Sequence, residues 1–263
     1  MRVATWNINS VRLRIDQVAR FVSESRTDVL CLQEIKCLED QFPRNAFAEM
    51  GLPHLKIAGQ KGWHGVAIAS RLPIEPSETF NACKLGHARC VSARIAGVDV
   101  QNFYIPAGGD VPDRVLNPKF DHKMDFYERL TETARRLDRS RPLLMCGDFN
   151  IAPSEHDVWN HRFMSKVVSH TSIEVETLNR LQAAGAFADV VREAFPEPQK
   201  LASWWSYRAV DFRKTDRGLR LDHIWTSPGL TPAVVANSVM IHEPVRAWEQ
   251  PSDHCPITVD LDV

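Results

Sequence analysis

An aspartate and an asparagine two residues apart, Asp148 and Asn150 in Gly147-Asp148-Phe149-Asn150, follow directly on an apolar run at 142–146. On a strand, residues i and i+2 point to the same face. Both side chains therefore aim into one pocket where the strand ends. A carboxylate there can take a proton from water, and an amide beside it can position what the carboxylate activates. Gly, Asp and Asn also make ordinary turns, so this pair gains weight only because polar groups recur at other strand ends. Asn7 and Asn9 lie near the end of Thr5-Trp6-Asn7-Ile8-Asn9, and Glu34 ends Leu32-Gln33-Glu34. Tyr104 ends a hairpin's return strand, Asp222 opens another strand, and Asp253-His254 precede the last. Singly, Glu34 reads as a surface carboxylate, His254 as a hydrogen-bonded structural histidine and Tyr104 as a core residue with its hydroxyl at the rim. All of these readings would have to hold at once. Converging carboxylates, amides, a phenol and an imidazole are costly to bury without an ion or substrate to satisfy them.

The elements that must carry these groups alternate between strand and helix patterns. Period-2 or continuous apolar runs predict strands at 3–9, 28–34, 65–70, 90–95, 98–104, 142–148, 221–226, 234–241 and 256–261. Ala96-Gly97 is a hairpin signal between two of them. Apolar residues at helical spacing predict helices over 15–22 and 120–137, and a capping box at Thr171-Ser172-Ile173-Glu174 starts a third that stops at Gly185. Strands without a regular helix between each pair argue against a parallel barrel and fit a layered α/β sandwich. No linker or repeat divides the chain, so residues 1–263 read as a single domain.

Composition narrows the class. The chain is 44% hydrophobic and 25% charged, as in a soluble globular protein. No apolar run reaches membrane-span length and the start already reads as a strand, so the expectation is a cytoplasmic protein with no membrane partner. The six cysteines form no C-x-x-C pair and read as buried, reduced thiols; Cys255 beside His254 reads as packing rather than as a nucleophile. A net charge of −1 and a pI near 6.8 argue against a protein that coats nucleic acid electrostatically. They allow a basic rim: Arg208, Arg213, Lys214, Arg217 and Arg220 crowd one loop-like stretch, with Arg12, Arg14, Lys36 and Lys61 near other strand ends.

Taken in order, Trp6-Asn7-Ile8-Asn9, Leu32-Gln33-Glu34-Ile35-Lys36, Gly62-Trp63-His64-Gly65-Val66-Ala67, Tyr104-Ile105-Pro106, Gly147-Asp148-Phe149-Asn150, Gly218-Leu219-Arg220-Leu221-Asp222 and Ser252-Asp253-His254 resemble the exonuclease III/apurinic-apyrimidinic endonuclease family. That family lies within the endonuclease/exonuclease/phosphatase superfamily. The resemblance runs from Met1 to the last strand. It implies a four-layer, DNase I-like α/β sandwich: two packed mixed sheets flanked by helices. It further implies a Mg²⁺-dependent DNA repair phosphodiesterase, with Mn²⁺ as substitute, that cleaves 5′ to abasic sites and trims 3′ ends. The partner implied is double-stranded DNA, abasic, 3′-recessed or nicked, met by a monomer.

By the same resemblance, Glu34 is the principal metal ligand, and Asn9 and Asp253 border the ion directly or through water. Asp148 orients and deprotonates the attacking water, Asn7 holds Asp148, and Asn150 holds the water or a phosphate oxygen. His254 binds a non-bridging phosphate oxygen and Asp222 supports it. Tyr104 donates to the reacting phosphate or stabilises it as phenolate. Trp204 packs against the extruded baseless sugar, Arg208 inserts into the duplex, and Trp63 and Lys36 contact the backbone or the minor groove. Two positions depart from the family's pattern: Ala107 stands where members usually carry Asn or Gln, and Asn9 replaces an aspartate found in some. Gly108-Gly109-Asp110 and the segment to Lys119 also lack a close match. Two other readings stay open: a superfamily relative acting on an inositol-phosphate lipid, sphingomyelin or RNA, and a catalytically dead DNA-binding or scaffold protein.

Overall fold

The computed structural model describes residues 1–208 and 211–263. In chain order the strands are β1 (Arg2–Asn7), β2 (Val29–Gln33), β3 (His54–Ala58), β4 (Val66–Ser70), β5 (Cys90–Ile95), β6 (Val98–Tyr104), β7 (Leu143–Asp148), β8 (Ala188–Asp189), β9 (Trp204–Trp205), β10 (Gly218–Leu219), β11 (Asp222–Thr226), β12 (Met240–Ile241) and β13 (Ile257–Asp260). One sheet runs β12-β13-β1-β2-β4-β3 and the other β5-β6-β7-β11-β8, while β9 and β10 form a small separate ribbon. Both main sheets are mixed. β1–β2 and β6–β7 are parallel pairs, and each is bridged by a helix, Ile15–Ser25 in the first case and Pro118–Arg135 in the second. A parallel pair requires such a crossover, whereas β5–β6 needs only a tight turn.

Side-chain alternation builds the four layers. Val3, Val29, Cys31, Val66 and Ile68 of the first sheet meet Val91, Val100, Leu144, Cys146 and Ile224 of the second between the sheets. The opposite faces pack outward. Ala4, Trp6, Leu30 and Leu32 cover Val18, Phe21 and Val22 of helix Ile15–Ser25. Phe103, Met145 and Trp225 cover Phe120, Met124, Tyr127 and Leu130 of helix Pro118–Arg135 and Leu178 and Leu181 of helix Ser172–Gly185. This is the layered α/β sandwich expected from the sequence.

Several boundaries differ from the sequence reading. The strand expected over 234–241 is reduced to Met240–Ile241. Pro232 favours a 3₁₀ turn at Thr231–Ala233, and Asn237 takes a left-handed backbone, φ 59°, that breaks the extended run. The first strand stops at Asn7 because Asn9 and Ser10 are also left-handed. Strand β3 was not anticipated; it is an edge strand with only Ile57 buried, so its pattern is weak. No helix among the described residues is long and apolar enough to cross a membrane.

Candidate active site

Strand register explains why the polar residues meet. Asn7 pairs with Gln33 at the end of the parallel β1–β2 pair. Tyr104 pairs with Asp148 at the same end of β6–β7, and Asp148 pairs in turn with Asp222, the first residue of antiparallel β11. Asn7 shares its strand face with Val3, Asp148 with Leu144 and Cys146, and Asp222 with Ile224, all of which point between the sheets. The polar tips are thus the last rung of the same inward-facing rows that form the core.

Two backbone features set Asp148 in place. Gly147 has φ 134°, and a Cβ there would lie 2.0 Å from the Phe103 carbonyl oxygen, so only glycine fits. Asn150 turns left-handed at φ 55°, and its backbone N–H donates to Asp148 Oδ1 at 3.0 Å. Asn7 Nδ2 donates to Asp148 Oδ2 and also to Glu34 Oε1, both at 2.9 Å. One amide group therefore spans two carboxylates. His254 Nδ1 lies 2.8 Å from Asp222 Oδ2, and its Nε2 lies 3.7 Å from Asp148 Oδ2. Ser203 Oγ donates to Asp222 Oδ2 at 2.6 Å, while Asp222 Oδ1 is buried without a partner.

The charge states follow from these contacts. Burial pushes the Asp148 carboxyl up, against the attraction of His254, to about 7. Burial alone would lower His254, but Asp222 and Asp148 outweigh it and raise the imidazole to about 10. His254 is therefore an imidazolium near neutral pH. Donor atoms of Asp148, Asp222 and His254 lie within 4.8 Å of one another, close enough to share a proton or to hold a cation together.

A second group of oxygen donors lies on the other side of Asn7. Glu34, just past β2, and Lys36 both take left-handed backbones, φ 50° and 52°, and Asn9 does too. Such conformations in non-glycine residues cost of order 1 kcal/mol each and concentrate at functional sites. Lys36 Nζ lies 2.9 Å from Glu34 Oε2 and also donates to Asn9 Oδ1. An ammonium thus stands between two hard oxygens, where a Mg²⁺-type ion would find its preferred ligands. Asp253 sits beside them with both oxygens engaged: Asn9 Nδ2 donates to Oδ1 and Trp204 Nε1 to Oδ2, each at 3.0 Å. Tyr104 is buried against Glu34 and Asp148. Burial first, then those two negative charges, push its hydroxyl well above the usual phenol range, which leaves it a hydrogen-bond donor.

The residues expected to touch DNA sit around this floor. Trp63 is 75% exposed, with Lys36 Nζ 5.0 Å from its ring centre. Trp204 is half-buried against Leu219 and Leu221, whereas Trp205 is core, packed on Phe212 and Cys255. Arg208 is exposed. Arg220 does not belong to the basic rim suggested by the sequence. It is fully buried, donating to both oxygens of Asp157 at 2.7 and 3.0 Å and to Asp189 at 2.8 Å. Asn150 Nδ2 donates to the Ile105 carbonyl at 2.9 Å.

Two supports are not among the residues singled out from the sequence. Lys123, fully buried, donates to the carbonyls of Asn150 at 2.8 Å and Ala107 at 3.2 Å and to Glu174 Oε1 at 2.5 Å. Its partner Glu174 was legible only as a capping residue. A second device lies beneath the site, where Gln33 Nε2 donates to Thr5 Oγ1 at 3.0 Å and to Asn102 Oδ1 at 2.6 Å. Asn102 Nδ2 in turn donates to the carbonyls of Leu32 and Ala67, both at 3.0 Å. This fully buried polar rung joins the two sheets. Inward-pointing Gln and Asn on otherwise apolar strand faces were the available signal.

A buried carboxylate of raised proton affinity, an imidazolium beside it and a cluster of oxygen donors, set at one end of a β-sandwich, are the groups that a metal-assisted phosphoester hydrolysis would use. The sequence profile of the Endonuclease/Exonuclease/phosphatase family matches residues 4–254, and the chain belongs to that family. It is 32% identical to exodeoxyribonuclease III of Haemophilus influenzae, over 99% of this chain and all of that one. Among solved structures, an AP endonuclease from Archaeoglobus fulgidus superposes with a TM-score of 0.91 at 30% identity, each chain covered in full. A variant of the 3′ phosphatase NExo from Neisseria, bound to product DNA hairpin, superposes with a TM-score of 0.90 at 33% identity, again with both chains covered in full.

Proposed function

We propose that this protein is a Mg²⁺-dependent DNA repair phosphodiesterase that cleaves the backbone 5′ to abasic sites and processes 3′ ends of duplex DNA. The observation that carries this reading is the Asn7 amide, which donates at once to Glu34 and to Asp148 and so holds a cation ligand beside a general base. The names of the relatives, which span exonuclease, AP endonuclease and a 3′ phosphatase with bound product DNA, support the same substrate. The reading carries with it one domain over residues 1–263, acting as a cytoplasmic monomer.

Hydrolysis of a phosphodiester requires lowering the barrier by roughly 15–20 kcal/mol or more. Acid-base catalysis supplies about 10²–10⁴-fold of this. Charge neutralisation and positioning must supply the rest. Glu34 would hold the metal, with Asn9 and Asp253 bordering it; when bound, the ion supplies Lewis-acid neutralisation of the phosphate. Asp148 accepts the proton of the attacking water while Asn7 fixes the carboxylate. The His254 imidazolium, anchored by Asp222, donates to a non-bridging phosphate oxygen. Tyr104 donates its phenol hydrogen to the same phosphate, and Asn150 fixes the water. Trp204 offers a face to a baseless sugar, and extrusion costs least where a nucleotide has no pairing partner. Lys36, Trp63 and Arg208 grip the duplex without reading sequence.

The deciding experiment is a substrate panel with and without EDTA: abasic duplex, 3′-recessed duplex, 3′-phosphate nick and a phosphoinositide. Metal-dependent turnover of the DNA substrates is expected, and turnover of the phosphoinositide alone would overturn the reading. In the same assay Glu34→Gln should raise the Mg²⁺ concentration for half-maximal rate at least about tenfold, since a ligand matters no less than its outer-shell support. An unchanged metal titration would remove Glu34 from the ligand set.

Trp204→Ala should depress abasic cleavage roughly tenfold more than trimming of an undamaged 3′ end, the scale of one lost aromatic stack. Equal losses on both substrates would make Trp204 a packing residue only.

The pH profile has a definite sign. Asp148 must be deprotonated to act, so the rate rises with pH through about 7 in the metal-free charge balance, and a cation at Glu34 moves that limb lower. His254 must stay protonated, so the rate falls as pH passes about 10. Asp222→Asn removes the largest charge that raises His254 and should bring the alkaline limb down. An alkaline limb unmoved in Asp222→Asn would break the assigned pairing.

A further inference from the structure

Behind Tyr104, the loop bearing Cys83 and His87 leans against His122 of helix Pro118–Arg135, and one donor atom from each of the three lies within 4.8 Å of the others. Cys83 Sγ is 3.4 Å from His122 Nε2. Zinc bonds of about 2.3 Å to sulfur and about 2.0–2.1 Å to nitrogen place a tetrahedral S···N edge at about 3.5 Å. One edge of a coordination tetrahedron is therefore already built. The His87 ring meets His122 edge-on at 5.8 Å between centres, and His64 stacks on His87 at 4.6 Å. His64 Nδ1 and His87 Nδ1 are both buried with no hydrogen-bond partner, which is uncommon for interior polar atoms and points to something that should be met there.

We propose that Cys83, His87 and His122 form a second metal site, for a thiophilic divalent cation such as Zn²⁺, distinct from the oxygen site at Glu34. Thiol and imidazole donors select zinc-like ions, while Mg²⁺ prefers oxygens, so the two sites divide the available metals by chemistry. On binding, the Cys83 S–H bond breaks, its proton passes to solvent and the thiolate takes the metal. His64 stands next to this cluster, its ring centre 6.3 Å from that of Tyr104. Arg89, two residues after His87, donates to the Tyr104 carbonyl at 3.0 Å and lies 4.7 Å over the Tyr104 ring. An ion would pin this loop to the helix and stiffen the wall on which Tyr104 rests. The competing reading is a thiol–imidazole hydrogen bond within a small buried cluster.

The test is a Co²⁺ titration of the EDTA-stripped full chain in excess Mg²⁺, which keeps the oxygen site filled. One Co²⁺ per chain with a thiolate-to-cobalt charge-transfer band is expected. The band should be lost in Cys83→Ser and kept in Glu34→Gln. His87→Ala, at a half-buried position, should weaken Co²⁺ binding at least about tenfold. No band at saturating Co²⁺, a band that survives Cys83→Ser, or wild-type affinity in His87→Ala would overturn the proposal. The readout is spectroscopic, so it stands apart from whether DNA proves to be the substrate.

Discussion

Asp148→Asn is expected to lower turnover on an abasic duplex by about 10²–10⁴-fold, the share that a positioned general base supplies, while duplex affinity stays close to wild type. The substitution is nearly isosteric. An asparagine oxygen can still accept from the Asn150 N–H that now reaches Asp148 Oδ1 at 3.0 Å. It cannot take a proton from water. The other amide position would face Asn7 Nδ2, now 2.9 Å from Oδ2, and replace an acceptor with a donor. That clash turns the Asn7 amide away from the site and compounds the loss. Binding should survive because the exposed Trp63 and Arg208 and the half-buried Trp204 are untouched. Single-turnover cleavage alongside a gel-shift titration separates the two effects. Cleavage within about tenfold of wild type would remove Asp148 as the base.

Arg220→Met should cost about 3–5 kcal/mol of stability, because it strips the partner from buried carboxylates. Arg220 is fully buried and forms a bidentate pair with Asp157, plus a bond to Asp189. Arg192 also donates to Asp157, but its other terminal guanidinium nitrogen is held by the carbonyls of Phe195 and Gln199 rather than by Asp189. Burial alone would raise the Asp189 carboxyl, yet Arg220 and His223 hold it well below the usual carboxylate range. The sign follows from that depression. The stabilisation is complete above the unfolded carboxylate range, about pH 4, and is lost as pH falls toward the folded value. Urea unfolding at neutral pH reads the cost directly, as a lower midpoint at unchanged slope. A loss under about 1 kcal/mol would mean that the network is dispensable. Arg217, exposed near Trp159 on the same stretch, should be close to neutral on replacement.

The contrast between Arg217 and Arg220 shows what a sequence can and cannot say about this chain. Glu34, Asp148 and Asp222 were legible because each lies where an apolar strand pattern starts or stops; pleat parity then fixed the direction of Asp148 and Asp222, whereas a left-handed turn just past β2 aims Glu34 at Asn7. The layered sandwich was legible for the same reason. Arg220 was not, because its partners Asp157 and Asp189 lie 63 and 31 residues away and nothing local marks an arginine as interior. Lys123 hid likewise: its helix pattern reads as amphipathic, and only the packed fold brings Glu174, 51 residues on, to its ammonium. The left-handed turns at Glu34 and Lys36 carry no glycine to announce them. The edge strand His54–Ala58 lacked the burial that makes a period visible.

The buried rung of Thr5, Gln33 and Asn102 has a consequence for how this molecule can be taken apart. Asn7, Glu34 and His254 belong to the first sheet or its flanks, and Tyr104, Asp148 and Asp222 to the second. A slip between the slabs would shift Asp148 relative to Glu34, the groups proposed as proton acceptor and cation ligand. The rung acts as a dowel against such shear. Competence is therefore a property of docking: neither slab, produced as an isolated fragment, carries a working half.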